Sequence, residues 1–203
     1  MSDMYQHRLD LTMATDRSKD FFPLLQQGIL VPCRTGVTLG ELLRDQWGID
    51  AGYVKTRITT IFLNHRAIDD MEQAVVRDGA TIALSGAMPG LVGATMRCGG
   101  HLAAMRGAMT HRDDTDDRSA HEAPVRLKLF NLLLPELGPF LLQRGIIMAA
   151  AELTAFLAHR DLNFWQACYG ARWDGNVVDP HLLAADMEAY AGSSILLRIK
   201  NED

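Results

Sequence analysis

Along this chain, apolar and polar residues alternate at every second position, change to helical spacing, and alternate again. Arg8-Leu9-Asp10-Leu11 shows the two-residue period of a strand with one buried face. Ile29–Val31 reads as a second strand. Thr38 and Glu41 form a capping box; Leu39, Leu42, Leu43 and Trp47 line one side of the helix it opens, and Gly48 closes it. "ITTIFLN" (58–64) is rich in β-branched residues and predicts a buried strand, which folds back through "NHRAI" (64–68) as a hairpin. Asp78-Gly79 marks a turn before a closing strand, Thr81–Leu84. The order strand, strand, helix, strand, short hairpin arm, strand predicts an α+β fold, a mixed sheet with one main helix across it.

The same series returns later in the chain. "RLDL" (8–11) recurs as "RLKL" (126–129), and "LLQQGILV" (24–31) as "LLQRGIIM" (141–148). "TLGELLRDQ" (38–46) matches "ELTAFLAHR" (152–160) in its apolar offsets, "FLNHRAID" (62–69) matches "RWDGNVVD" (172–179), and "GATIAL" (79–84) matches "GSSILL" (192–197). Five matches in one order read as an internal duplication with short insertions and deletions. The competing reading is two unrelated α/β halves with similar amphipathic patterns. The duplication divides the chain into a first repeat (1–86), a connector and acidic linker (87–122) and a second, diverged repeat (123–203).

Composition narrows the function classes. The net charge of −5 argues against a dedicated nucleic-acid binder, which needs a basic face. No run reaches the length of a membrane span, and the first residues lack the basic and apolar regions of a signal peptide. Cys33, Cys98 and Cys168 are odd in number and widely spaced, which points to free thiols and a cytoplasmic setting. Residues 87–109 carry Arg97 and Arg106 and no acid, the only net-basic stretch.

The first series resembles the β-grasp (ubiquitin-like) fold. "IFLNHRAIDDMEQAVVRDGATIALSGAMPG" looks like the small sulfur-carrier proteins of molybdopterin and thiamine synthesis, with Asn64, Asp78-Gly79 and Thr81–Leu84 in the places of their turns and last strand. The resemblance implies two tandem β-grasp-like repeats. In that family a C-terminal Gly-Gly is adenylated and carries sulfur or forms a conjugate. This sequence closes on "KNED", and its only Gly-Gly is Gly99-Gly100, inside the chain. Carrier chemistry would therefore require cleavage after Gly100.

Three further roles compete for the stretch 87–107, which holds five of the 17 glycines. As an anion cradle it would use backbone amides and cations at Gly93, Arg97, Gly99, Gly100 and Arg106. As a thiol site it would use Cys98, with Arg97 and His101 favouring the thiolate. As a plain connector it would pack Leu91, Val92, Met96, Leu102, Met105 and Met109 on the first repeat. The linker "HRDDTDDRSAHE" (111–122) is a weak metal-chelating candidate and equally a solvated acidic segment. Trp165, Tyr169 and Trp173 offer an aromatic surface, core material, or both. With no nucleophile elbow, metal motif or paired carboxylates, the expected function is a non-catalytic interaction or assembly module. It would need no cofactor and would bind a protein partner or form a homo-oligomer.

Overall fold

Twelve strands form where β-branched and alternating segments lie between turn residues, in a computed structural model that describes residues 4–86, 88–109 and 119–202. In chain order they are β1 (His7–Ala14), β2 (Ile29–Arg34), β3 (Val37–Thr38), β4 (Thr60–Leu63), β5 (Arg66–Ala67), β6 (Val75–Val76), β7 (Thr81–Ser85), β8 (Glu122–Phe130), β9 (Ile146–Ala149), β10 (Cys168–Trp173), β11 (Asn176–Val178) and β12 (Ser194–Glu202). With several helices between them, the architecture is α+β with mixed strand pairing. No helix among the described residues is long and apolar enough to cross a membrane.

Two compact units result, and they cut across the segments expected from the sequence. Unit 1 is Met1–Leu24, Ile29–Val31 and Pro135–Asp203; unit 2 is Leu25–Gly28 and Pro32–Leu134. The divergence has a backbone cause. β1 finds its hydrogen-bond partners on β10 and β12, late in the chain, whereas β8 finds one on β7, in the early part.

In unit 1 the strand order is β11-β10-β1-β12-β9-β2. β1 runs parallel to β12, with Leu9 opposite Leu197 and Leu11 opposite Ile199, and antiparallel to β10. Leu9, Leu11, Met13, Ile195 and Leu197 are fully buried. Helix Ala150–Ala158 buries Leu153, Phe156 and Leu157, and Phe156 joins Phe21 and Phe164 in a ring cluster with centroids 5.5–6.4 Å apart. Each such aromatic or leucine contributes about 1.5–3 kcal/mol when fully removed from water.

In unit 2 the order is β2-β8-β7-β4-β5, with β3 and β6 forming a separate two-stranded pair. β7 runs parallel to β8, placing Ile82 opposite Leu127 and Leu84 opposite Leu129, and antiparallel to β4. The capping box forms: the Thr38 N–H donates to Glu41 Oε2 at 2.8 Å, and the Glu41 N–H donates to Thr38 Oγ1 at 3.2 Å. Leu39, Leu42, Leu43 and Trp47 are buried in this unit, although beyond Glu41 the helix widens into a π-type turn, Leu42–Gln46.

Both hairpin turns adopt left-handed backbone. Asn64 and His65 have φ of 49° and 67°; Asp174 and Gly175 have 49° and 87°. Each turn clasps a central strand in the same way. Asn64 Oδ1 accepts the Thr81 N–H at 2.9 Å, and its own N–H donates to the Thr81 carbonyl at 2.8 Å. Asp174 Oδ1 accepts the Arg8 N–H at 2.8 Å, and its N–H donates to the Arg8 carbonyl at 2.9 Å.

Candidate functional site

The glycine-rich stretch folds as a short helix, Gly90–Met96, an extended Arg97, a turn at Cys98–Gly100 and a 3-10 helix, Ala103–Met109. The expected anion cradle is already occupied by the chain's own carboxylate. Asp69 Oδ1 accepts the Gly99 N–H at 3.0 Å and a hydrogen bond from Arg106 Nη2, whose side chain is fully buried. The neighbouring amides are also engaged: Cys98 N–H with the Thr59 carbonyl at 2.9 Å, and Gly100 N–H with the Arg97 carbonyl at 3.1 Å. Gly93 serves packing, since a Cβ there would lie 1.7 Å from the Met88 carbonyl oxygen.

Two further expectations need correcting. Cys98 is not an activated thiolate: burial, and then the charge of Asp69, push its pKa up, with Arg106 opposing them. Its Sγ donates to the Asp69 carbonyl at 3.2 Å, while His101 stands exposed. Nor does the stretch bury an apolar stripe, because Leu91, Val92 and Met105 are 68%, 61% and 67% exposed. The tie to unit 2 is polar, through Thr59 and Asp69. Most of the acidic linker, residues 110–118, lies outside the described residues, and so does the metal reading placed on it. His121, at its end, pairs with Asp78, which also accepts from Thr35 Oγ1 at 2.6 Å; these two hydrogen bonds hold the Asp78 pKa down. Among the described residues no three His, Cys, Asp or Glu side chains converge as metal ligands.

Of the candidate cations, Arg97 has a different setting from Arg106. Together with Cys98 it lines a cavity of about 510 Å³, also bordered by Arg44 and Lys55. Asp50 caps the helix that carries Lys55, accepting the Tyr53 N–H at 2.8 Å.

A second cavity, of about 500 Å³, went unnoticed in the sequence. It lies on the sheet of unit 2, on the side opposite the buried leucines. Phe62, Ala83 and Lys128 stand in register across β4, β7 and β8, and Phe130, Met88 and Pro89 complete its apolar wall. Phe130 is 48% exposed. The signal available was the alternation itself: if Leu127 and Leu129 point inward, Lys128 and Phe130 point outward, and a phenylalanine on a solvent face is unusual enough to notice. No known family model matches this chain, and no curated protein or solved structure matches it.

Proposed function

We propose that this protein is a non-catalytic interaction module, built from two β-grasp-like repeats in tandem that have exchanged strands, and that it docks a protein partner on the outward sheet face of unit 2. The observation that carries the docking is the apolar cavity floored by Phe62, Ala83 and Phe130. A partner side chain that fills such a pocket and desolvates it is where interface energy concentrates. Leu91 and Val92, on the helix that follows Pro89, extend the exposed apolar surface next to it in the chain. Lys128 adds a cation, so the matching partner offers an apolar side chain flanked by a carboxylate.

Support for the exchanged tandem comes from strand order. Each unit has a central parallel pair that joins an early strand to a late one, with a hairpin beside it. The duplicated motifs "RLDL" and "RLKL" supply β1 and β8, each in the unit made mostly of the other repeat.

The test is a photo-crosslinking amino acid at position 130 in the full chain, with position 177 of unit 1 as the exposed control. The expected result is a discrete adduct heavier than 22.5 kDa from position 130 alone, abolished by Lys128→Glu. No adduct, or equal adducts from both positions, removes the docking reading.

A further inference from the structure

The cavity of about 510 Å³ beside Arg97 combines an apolar lining with two cations, Lys55 and Arg97, that have no acidic partner among the described residues. Three cationic side chains, Arg44, Lys55 and Arg97, border it, and among the described residues no acidic one does. Arg44 is engaged by Glu72 through two hydrogen bonds of 2.6 and 2.8 Å. Neither the ammonium of Lys55 nor the guanidinium of Arg97 has a partner among the described residues.

The nearby carboxylates are committed elsewhere. Asp69 takes Arg106 and the Gly99 amide, and Asp70 accepts the Glu72 N–H at 2.8 Å and Gln73 Nε2 at 2.9 Å. Behind the cations the wall is Val54, Ile58 and Met71, with Cys98 held on the Asp69 carbonyl. The turn that presents Arg97 is pinned on both sides, at Thr59 and at Asp69, so its backbone is preorganised.

We infer that this cavity binds a small organic anion. The head is doubly charged, a phosphate monoester or a dicarboxylate, and lies between Lys55 and Arg97; the apolar body rests on Val54, Ile58 and Met71. Two cations without internal partners match a dianion in charge, and Arg97 offers the forked geometry that takes two oxygens of one group. The volume falls within the range of small-molecule sites, about 300–1,000 Å³. This site is separate from the sheet-face cavity and shares no lining residue with it.

Phenyl phosphate titrated into the isotopically labelled full chain tests the inference by amide shift mapping, with inorganic phosphate and benzyl alcohol as partial probes and phthalate as the dicarboxylate. Saturable shifts confined to residues 51–59 and 97–99 are expected, weaker for each partial probe, and phenyl phosphate against phthalate distinguishes the two heads. Lys55→Gln and Arg97→Gln each lower the affinity about tenfold, the loss of one charge-assisted hydrogen bond. Both side chains are exposed, so the fold survives. Bound phenyl phosphate also slows alkylation of Cys98. No saturation below about 10 mM, equal binding by the double variant, or shifts that map to Phe62 and Phe130 instead would each overturn the proposal.

Discussion

Cross-strand rows in the two units carry opposite chemistry. Across unit 2 the row is Phe62, Ala83, Lys128; across unit 1 it is Arg172, Asp10, Arg198. In unit 1 the charge is satisfied where it stands: Asp10 Oδ1 accepts Arg8 Nη2 at 2.9 Å and Arg8 Nε at 3.1 Å. A paired, partly buried carboxylate gains nothing by exchanging water for another protein, whereas the apolar cavity of unit 2 gains with every Å² covered. Trp173 of unit 1 is stacked on His7 at 5.1 Å and lies beside Tyr190 at 5.0 Å, whereas Tyr169 is 59% exposed. The carboxylate in the row of unit 1 is thus met by Arg8, and the apolar row of unit 2 is left uncovered.

Breaking the pairings between early and late strands has the largest expected effect. Leu11→Asp places an unpaired charge at a fully buried site of unit 1, a cost of about 3–5 kcal/mol. Hydrogen exchange should then show lost protection in residues 135–203 ahead of 37–86, and Leu127→Asp should reverse that order. Earlier loss of protection in residues 37–86 than in 135–203 from Leu11→Asp would contradict the assignment of β1 to unit 1.

The glycine-rich arm comes next. Asp69→Ala leaves Arg106 buried without its carboxylate and costs about 2 kcal/mol, read from urea unfolding. The same variant speeds alkylation of Cys98 by iodoacetamide, because it removes a charge that raises the thiol pKa. In the unaltered protein that raised pKa favours the fold below the ordinary thiol value, about 8.5, and the advantage fades as pH rises through the folded value. Alkylation of native Cys98 should therefore lag behind free cysteine at that pH.

The smallest effects sharpen the likeness of the two units. Asn64→Ala removes one side-chain clasp on a central strand and should cost about 1 kcal/mol in thermal or urea unfolding. Asp174→Ala removes the same clasp and also the 2.8 Å contact with His7 Nδ1, so it should cost more; a larger loss at Asn64 would break the parallel.

Much of the local structure was legible in residue order. Thr38 and Glu41 announce the cap, and Asp174-Gly175 the hairpin, because these features depend on neighbours within four positions. The candidate site was legible only in part. Gly99 and Arg106 do come together, but the anion they hold is Asp69, 30 residues before Gly99 in the sequence. No local pattern marks a carboxylate that arrives from another loop. Phe62 and Phe130 lie 68 positions apart and line one cavity only because β7 joins their strands in the sheet.

By itself, then, the sequence determined the strands β1, β2, β4 and β7, the cap at Thr38, the hairpin turn at Asn64 and the leucines that β1 buries. These follow from period, capping and backbone sterics. The tertiary structure alone decided which strand each sheet accepts. "RLDL" and "RLKL" present the same alternation and the same backbone donors and acceptors, so either satisfies a vacant edge equally well on local grounds. Only the packing of the whole chain seats β1 beside β12 and β8 beside β7.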